Sequence, residues 1–208
     1  MYSYPIFDWN RNVTHVVEYT RDITRRKREE EEKRELITTL NHLSTTDVLT
    51  GLYNRRALNE MLKHEIERAN RYGIDLSLIL IDVDNFKLIN DTFGHTVGDH
   101  ALKLIADALV RSLRKTDIPG RYGGDELMVI LPETCLEGAR NLAEKIRRTI
   151  EEVPLDPSGA QRIALAVSIG VAGCCAHLEN IDTLVALADK ALYDSKLAGR
   201  NKVTVSRQ

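Results

Sequence analysis

The sequence predicts an α/β (α+β) domain in which helices cover a mixed central sheet, and three observations lead there. Short apolar runs such as Leu76–Ile81, Leu127–Leu131 and Ile163–Ala172 have the length and composition of buried strands. Between them lie stretches with apolar residues at helical spacing: Leu58, Met61, Leu62, Ile66 and Ala69, then Leu102, Ile105, Ala106, Leu109 and Leu113. A chain of 208 residues, 43% hydrophobic and 29% charged, supplies one sizeable core with residues left over for a further segment. Strands alternating with helices place the helices on the faces of the sheet.

From the N-terminus, Tyr4–Phe7, a polar turn over Asp8–Asn12, and Val13–Tyr19 read as a two-stranded hairpin, marginal in water on its own. Asp22 is placed to cap a helix running from Arg25 to about Leu43, a stretch free of Gly and Pro. With Arg26, Lys33 and Leu40 at a and Glu29, Leu36 and Leu43 at d, its coiled-coil seam is apolar only near the C-terminal end, so a solvated single helix fits equally. Ser44–Asn54 is a turn-rich linker. Asn54 then caps a helix that Gly73 closes.

The Leu76–Ile81 strand ends in Asp82, Val83 and Asp84, followed by a helical turn near Leu88–Phe93. Gly94 and Gly98 are expected to bracket a loop before a helix over Ala101–Leu113. Pro119 suits the head of a strand, and Gly123-Gly124 suits a tight primed turn into Leu127–Leu131. A helix over Leu136–Ile150, a loop over Pro154–Gly159, a strand over Ile163–Ala172, a helix over Ile181–Leu197 and an edge strand over Asn201–Val205 complete the chain.

Net charge is −2, which predicts no general attraction to nucleic acid or to an anionic membrane. Cys135, Cys174 and Cys175 lack metal-ligand spacing, and an odd count with an adjacent pair argues against a disulfide framework. No apolar run approaches the ~20 residues that a membrane helix needs. The expectation is a protein of the reducing cytoplasm, without direct membrane insertion, with membership of a longer sensor protein left open.

Chemistry concentrates at two strand ends. Asp125 and Glu126 follow Gly123-Gly124 at the hairpin tip, and Asp82 ends the Leu76–Ile81 run. If the two strands are neighbours, their carboxylates converge, and converging carboxylates repel unless a proton or cation lies between them. Oxygen ligands suit a hard divalent ion, Mg²⁺ above all. Asp84 reads at least as well as a capping carboxylate and is left out of the metal set.

Four ordered blocks then carry a family resemblance. RYGGDEL, with DVDNFKLINDTFGHTVGD, DVLTGLYNRR and ADKALYDSKLAGRN, resembles the GGDEF domain of diguanylate cyclases, over roughly Thr46–Ser206. The resemblance implies a palm-like fold similar to that of adenylyl cyclases, antiparallel around the central hairpin. It implies conversion of two GTP into cyclic di-GMP and two pyrophosphates by a homodimer, with Mg²⁺ or alternatively Mn²⁺. Asp82, the Val83 carbonyl and Asp125 would hold metal, with Asp125 and Glu126 the candidates for proton work. The triphosphate would meet the backbone around Asn85 and Phe86, and Lys87, Lys196 and Arg200. For Lys196 and Arg200, complementing a helix C-terminus is the plainer role. Asn90 and Asp99 would select guanine, since a carboxylate accepts from guanine N1–H and the N2 amine.

Arg114 and Asp117 match the RxxD of the family's product-inhibition site. Dipole complementation at the preceding helix end is the ordinary alternative for Arg114. Leu127 departs from the family's Phe and is expected to pack in the core. His95 is expected to be structural. The segment YPIFDWNRNVTHVVEYTRDITRRK resembles the last strands of a PAS sensor domain; an independent β-arm docking on a partner chain is the alternative. The implied division is a PAS-like hairpin over 1–21, a helical linker over 22–45 and a GGDEF domain over 46–208. The competing functional reading is a degenerate domain that binds GTP or cyclic di-GMP without catalysis. A palm-type polymerase would need a basic nucleic-acid channel that the charge balance lacks.

Overall fold

The structure, a computed structural model, describes residues 2–19, 22–24, 27–28, 30, 45–156, 163–175 and 181–206. Its contacts divide the chain into two units, 1–44 and 45–208. In the first, β1 (Tyr2–Phe7) and β2 (Val13–Tyr19) pair antiparallel, with Tyr4 opposite Val17 and Ile6 opposite His15. Asp8 builds the turn: its Oδ1 accepts from the Asn10 and Asn12 amides at 2.8 and 2.9 Å. Asp22 Oδ1 accepts from the Thr24 amide at 2.8 Å, as a capping residue does. The heptad positions Arg26, Glu29, Lys33, Leu36, Leu40 and Leu43 lie outside the described residues.

The second unit is built on a six-stranded mixed sheet. Its strands are β3 (Tyr53–Asn54), β4 (Asp75–Val83), β5 (Ile118–Arg121), β6 (Glu126–Pro132), β9 (Val167–Cys175) and β10 (Val203–Val205). They lie in the order β10-β9-β4-β6-β5-β3. The four inner strands are antiparallel, and the two outer pairs, β10 with β9 and β3 with β5, are parallel. β4 lies between β6 and β9, and helices cover both faces of the sheet there, which explains why its run reads as continuously apolar.

Alternation along β4 divides the core in two. Ile79, Ile81 and Val83, with Leu127, Val129 and Leu131 of β6, face helices α3 (His95–Ser112) and α4 (Leu136–Glu151). Leu76, Leu78 and Leu80, with Met128 and Ile130, face α1 (Arg55–Tyr72) and α5 (Ile181–Leu197). Asn54 caps α1 by accepting from the Ala57 amide at 3.0 Å. Leu127 is fully buried in the first cluster, on the face away from Glu126, so its difference from Phe is a matter of packing.

Three local expectations give way. Gly98 does not border a loop; α3 already starts at His95, directly after the short helix α2 (Phe86–Phe93) and Gly94. A Cβ on Gly98 would stand 1.9 Å from Asn90 Oδ1, so the glycine serves the close approach of α2 to α3 rather than a turn. Gly123 and Gly124 do not adopt positive φ, so the hairpin tip is not a primed turn; the longer 122–125 connection relieves the demand for one. The 163–172 strand is broken at Leu165 and Ala166. Its first two residues, β8 (Ile163–Ala164), pair with β7 (Pro154–Leu155), where a loop was expected.

Candidate active site

The ends of β4 and β6 bring the acidic residues together. Asp82 stands opposite Glu126 in the antiparallel register, on the sheet face covered by α5, and the Val83 amide donates to the Asp125 carbonyl at 3.3 Å. Lys196, near the end of α5, places Nζ 2.7 Å from Asp82 Oδ2. Burial nevertheless pushes the Asp82 carboxyl above its ordinary value; the Lys196 ammonium opposes this, and the charges of Asp125 and Glu126 add to it. Gly123 leaves room for Glu126, whose Oε2 would lie 2.7 Å from a Cβ at that position.

This donor set fits a divalent ion by its chemistry. Asp82, Asp125 and the Val83 carbonyl offer hard oxygens, and mutual repulsion among the carboxylates is what a cation would relieve. Among the described residues no group of three or more His, Cys, Asp or Glu side chains forms a ready-made cage. A backbone carbonyl and non-protein oxygens would have to complete the shell.

Beside the carboxylates a cavity of about 440 Å³ opens between α2, α3 and the hairpin tip. Phe86, Lys87, Asn90, Asp99 and Asp125 line it together with His95 and Arg121. Asn90 Oδ1 is buried against Gly98 with no hydrogen-bond partner, an uncompensated cost at the edge of the cavity. Asn85 precedes α2 with φ 56 and makes no side-chain cap, leaving the start of that helix uncapped beside the cavity.

The family model described as "Diguanylate cyclase, GGDEF domain" matches residues 44–202. The chain belongs to the GGDEF family. It is 44% identical over 157 residues to diguanylate cyclase DosC of Escherichia coli K12, covering 76% of this chain and 34% of that protein. It is 41% identical over 162 residues to the response regulator PleD of Caulobacter vibrioides, covering 77% and 36%. The chain thus spans about a third of the length of these curated relatives. The solved coiled coil and GGDEF domain of DgcB from Caulobacter crescentus, in complex with c-di-GMP, superposes with a TM-score of 0.81 at 31% identity, covering 88% of this chain and 97% of that one.

Within the GGDEF domain, Asn85 precedes α2 and Arg200 lies exposed in the turn after α5, and the other expected residues fall into three groups. Phe86, Lys87, Asn90, Asp99 and Asp125 share the cavity. Asp82, Val83, Glu126 and Lys196 adjoin it through Asp125. Arg114 and Asp117 form a separate turn before β5, in which Asp117 Oδ2 accepts from the Arg114 amide at 2.9 Å and the Asp117 amide donates to the Arg114 carbonyl at 3.1 Å. Asp117 is buried, so it holds its own turn whatever else it does.

Sequence reasoning missed Arg121 as a working residue. Its Nε and Nη2 donate to the Gly124 carbonyl at 3.0 and 2.7 Å, and its Nη1 reaches both oxygens of Asp47 at 3.2 Å. Burial alone would raise the Asp47 carboxyl; the Thr50 hydroxyl and amide and the Arg121 guanidinium outweigh it and hold the carboxyl below its ordinary range. Asp47 and Arg121 both stood in the family blocks. Their pairing did not, because residues 74 apart in sequence carry no sign of contact.

Proposed function

We propose that this chain is a diguanylate cyclase that condenses two GTP into cyclic di-GMP and two pyrophosphates. The observation that carries this reading is the 440 Å³ cavity that Asn90, Asp99 and Asp125 line together. An acceptor pair suits the N1–H and N2 amine of guanine, and adenine leaves a carboxylate there unpaired. Lys87, Lys196 and Arg200, with the uncapped start of α2, bind and orient the triphosphate.

Asp82, the Val83 carbonyl and Asp125 hold Mg²⁺, with Mn²⁺ as a substitute. When bound, the ion supplies charge neutralisation at the phosphates and acidifies the attacking 3′-hydroxyl. Asp125 or Glu126 takes up the hydroxyl proton, and positioning does most of the remaining work, since phosphoryl transfer asks little covalent help from protein. One domain presents one nucleotide, so both bonds require two GTP-loaded copies facing each other. Product binding at Arg114 and Asp117 slows the reaction: the guanidinium fork suits phosphate or the guanine Hoogsteen edge.

The test is incubation with GTP and Mg²⁺ and identification of the product by mass, with pyrophosphate counted against it. Cyclic di-GMP with two pyrophosphates is expected; GTP binding without product would instead leave a degenerate binding domain. Asp99→Ala is expected to narrow the preference for GTP over ATP in competition. An unchanged ratio would place base selection elsewhere.

A further inference from the structure

The turn that leaves α5 carries three successive residues in the left-handed region: Gly199 at φ 104, Arg200 at φ 62 and Asn201 at φ 46. Glycine takes this conformation freely, but side-chain-bearing residues persist there only where the surroundings over-determine them. Here they do. Asp84 Oδ2 accepts from the Asn201 amide at 2.9 Å, and its Oδ1 accepts from the Ser168 hydroxyl on β9 at 2.7 Å. The Asn201 side chain donates to Glu151 Oε1 and accepts from Arg147 Nη1, both at 2.9 Å and both from α4. The Arg200 amide donates back to the Ser195 carbonyl at 3.1 Å, and the Ser195 hydroxyl is bonded to the Ile169 carbonyl and the Thr204 hydroxyl.

Among the described residues the side chains of Asp84, Ser168, Asn201, Glu151, Arg147 and Ser195 all find partners in this network. Arg200 is exposed, and its guanidinium has no hydrogen-bond or ion-pair partner among the described residues. A turn that only closed the fold would be served by glycine at the left-handed positions. This one holds a cation there, four residues beyond the Lys196 that meets Asp82, and anchors it to a carboxylate two residues beyond Asp82.

We propose that Asp84 and Asn201 are positioning residues for the nucleotide: they lock the 199–201 turn so that Arg200, four residues after Lys196, is held ready to receive the β- and γ-phosphates. This rests on the reading of Lys196 and Arg200 as triphosphate contacts. Asp84 is then a residue that holds the turn, with one donor, from Ser168 and from Asn201, on each of its oxygens. Ordering Arg200 in advance spares the bound nucleotide the entropy of immobilising a long side chain.

The test compares Asp84→Asn, Asn201→Ala and Asn201→Gly in the full chain, by the affinity for a non-hydrolysable GTP analogue and for GMP, and by KM and kcat for GTP. Asp84→Asn and Asn201→Ala are expected to weaken analogue binding and raise KM by about 10- to 100-fold, the range typical of lost supporting contacts, with GMP affinity and kcat nearly unchanged. Asn201→Gly keeps the left-handed turn and its amide, and is expected to fall between wild type and Asn201→Ala. In an Arg200→Ala background Asp84→Asn should add no further loss, since residues acting through one another are not additive. Equal weakening for GMP and the analogue, or a full additional loss in that background, overturns the positioning role. Should Asp84→Asn fail to fold, the ordering of the two Asn201 variants decides. Wild type that neither binds the analogue nor makes product refutes the functional reading itself; wild type that does both beside variants of unaltered affinity refutes only the positioning.

Discussion

Two short acidic turns flank β5, and they use their carboxylates in opposite ways. In the turn before the strand, buried Asp117 accepts from the Arg114 amide, so its charge is engaged by the backbone that carries it. In the turn after it, Asp125 contributes its backbone carbonyl to β4 while its side chain lines the cavity, and the turn is held by Arg121 from outside. The first turn stabilises itself with its aspartate. The second is stabilised by another residue and keeps its aspartate for something else. A carboxylate supported from elsewhere is a better candidate for chemistry than one that supports its own loop.

Substituting the two aspartates in parallel sharpens the contrast most. Asp125→Ala is expected to abolish product formation, a loss beyond about a hundredfold, while leaving the melting temperature close to wild type. Near-normal turnover would show that the metal is held without it. Asp117→Ala should do the reverse, since it removes a hydrogen bond from the Arg114 amide to a charged acceptor, worth about 1–3 kcal/mol. Thermal denaturation should then fall by roughly 2–4 °C for each kcal/mol in a domain of this size. A variant that melts like wild type would mean that Asp117 is kept for ligand binding alone.

Arg114→Ala separates the two uses of the first turn, because the Asp117 carboxylate contacts the Arg114 amide and not its guanidinium. The variant is expected to hold its own rate as cyclic di-GMP accumulates, where wild type slows several-fold. Progress curves that bend equally would return Arg114 to the ordinary role of a cation after a helix C-terminus.

The smallest effect concerns Asp82, whose carboxyl burial raises above its ordinary value. A raised carboxyl means that the folded state binds the proton more tightly than the unfolded one, so stability falls as pH rises from the ordinary carboxyl range through the raised value. Asp82→Asn removes that linkage. Without metal, its melting temperature should therefore gain on wild type as pH rises above the ordinary carboxyl range, by a few degrees at most. A gap that does not change with pH would mean that Lys196 fully compensates the buried charge.

The strands and helices of the GGDEF domain were legible because each buries an apolar face with its own period, as in the Leu76–Ile81 run and the Leu58–Ala69 stripe. The carboxylates were legible as strand-end residues and as members of family blocks. What stayed hidden depended on contacts across the chain. Gly98 looked like a loop residue because its reason, the approach of Asn90, belongs to another helix. Asp84 looked like a generic cap, and only the structure joins it to Ser168 and Asn201. The split of the 163–172 run arises because Leu155 offers Ile163 a different partner, which periodicity alone cannot register.

The central place of β4 has a consequence during synthesis. Its register with β9 sets Asp75 against Cys175, about a hundred residues later, and its other neighbour β6 is itself some fifty residues downstream. At roughly 5–20 residues per second, a ribosome needs on the order of 5–20 s to deliver the second partner. Throughout that interval a central, largely apolar strand of the domain carries an unpaired edge, the feature through which nascent chains associate with one another. Truncation before Val167 would make the exposure permanent, so C-terminally shortened forms are expected to accumulate as aggregate rather than as a smaller folded domain.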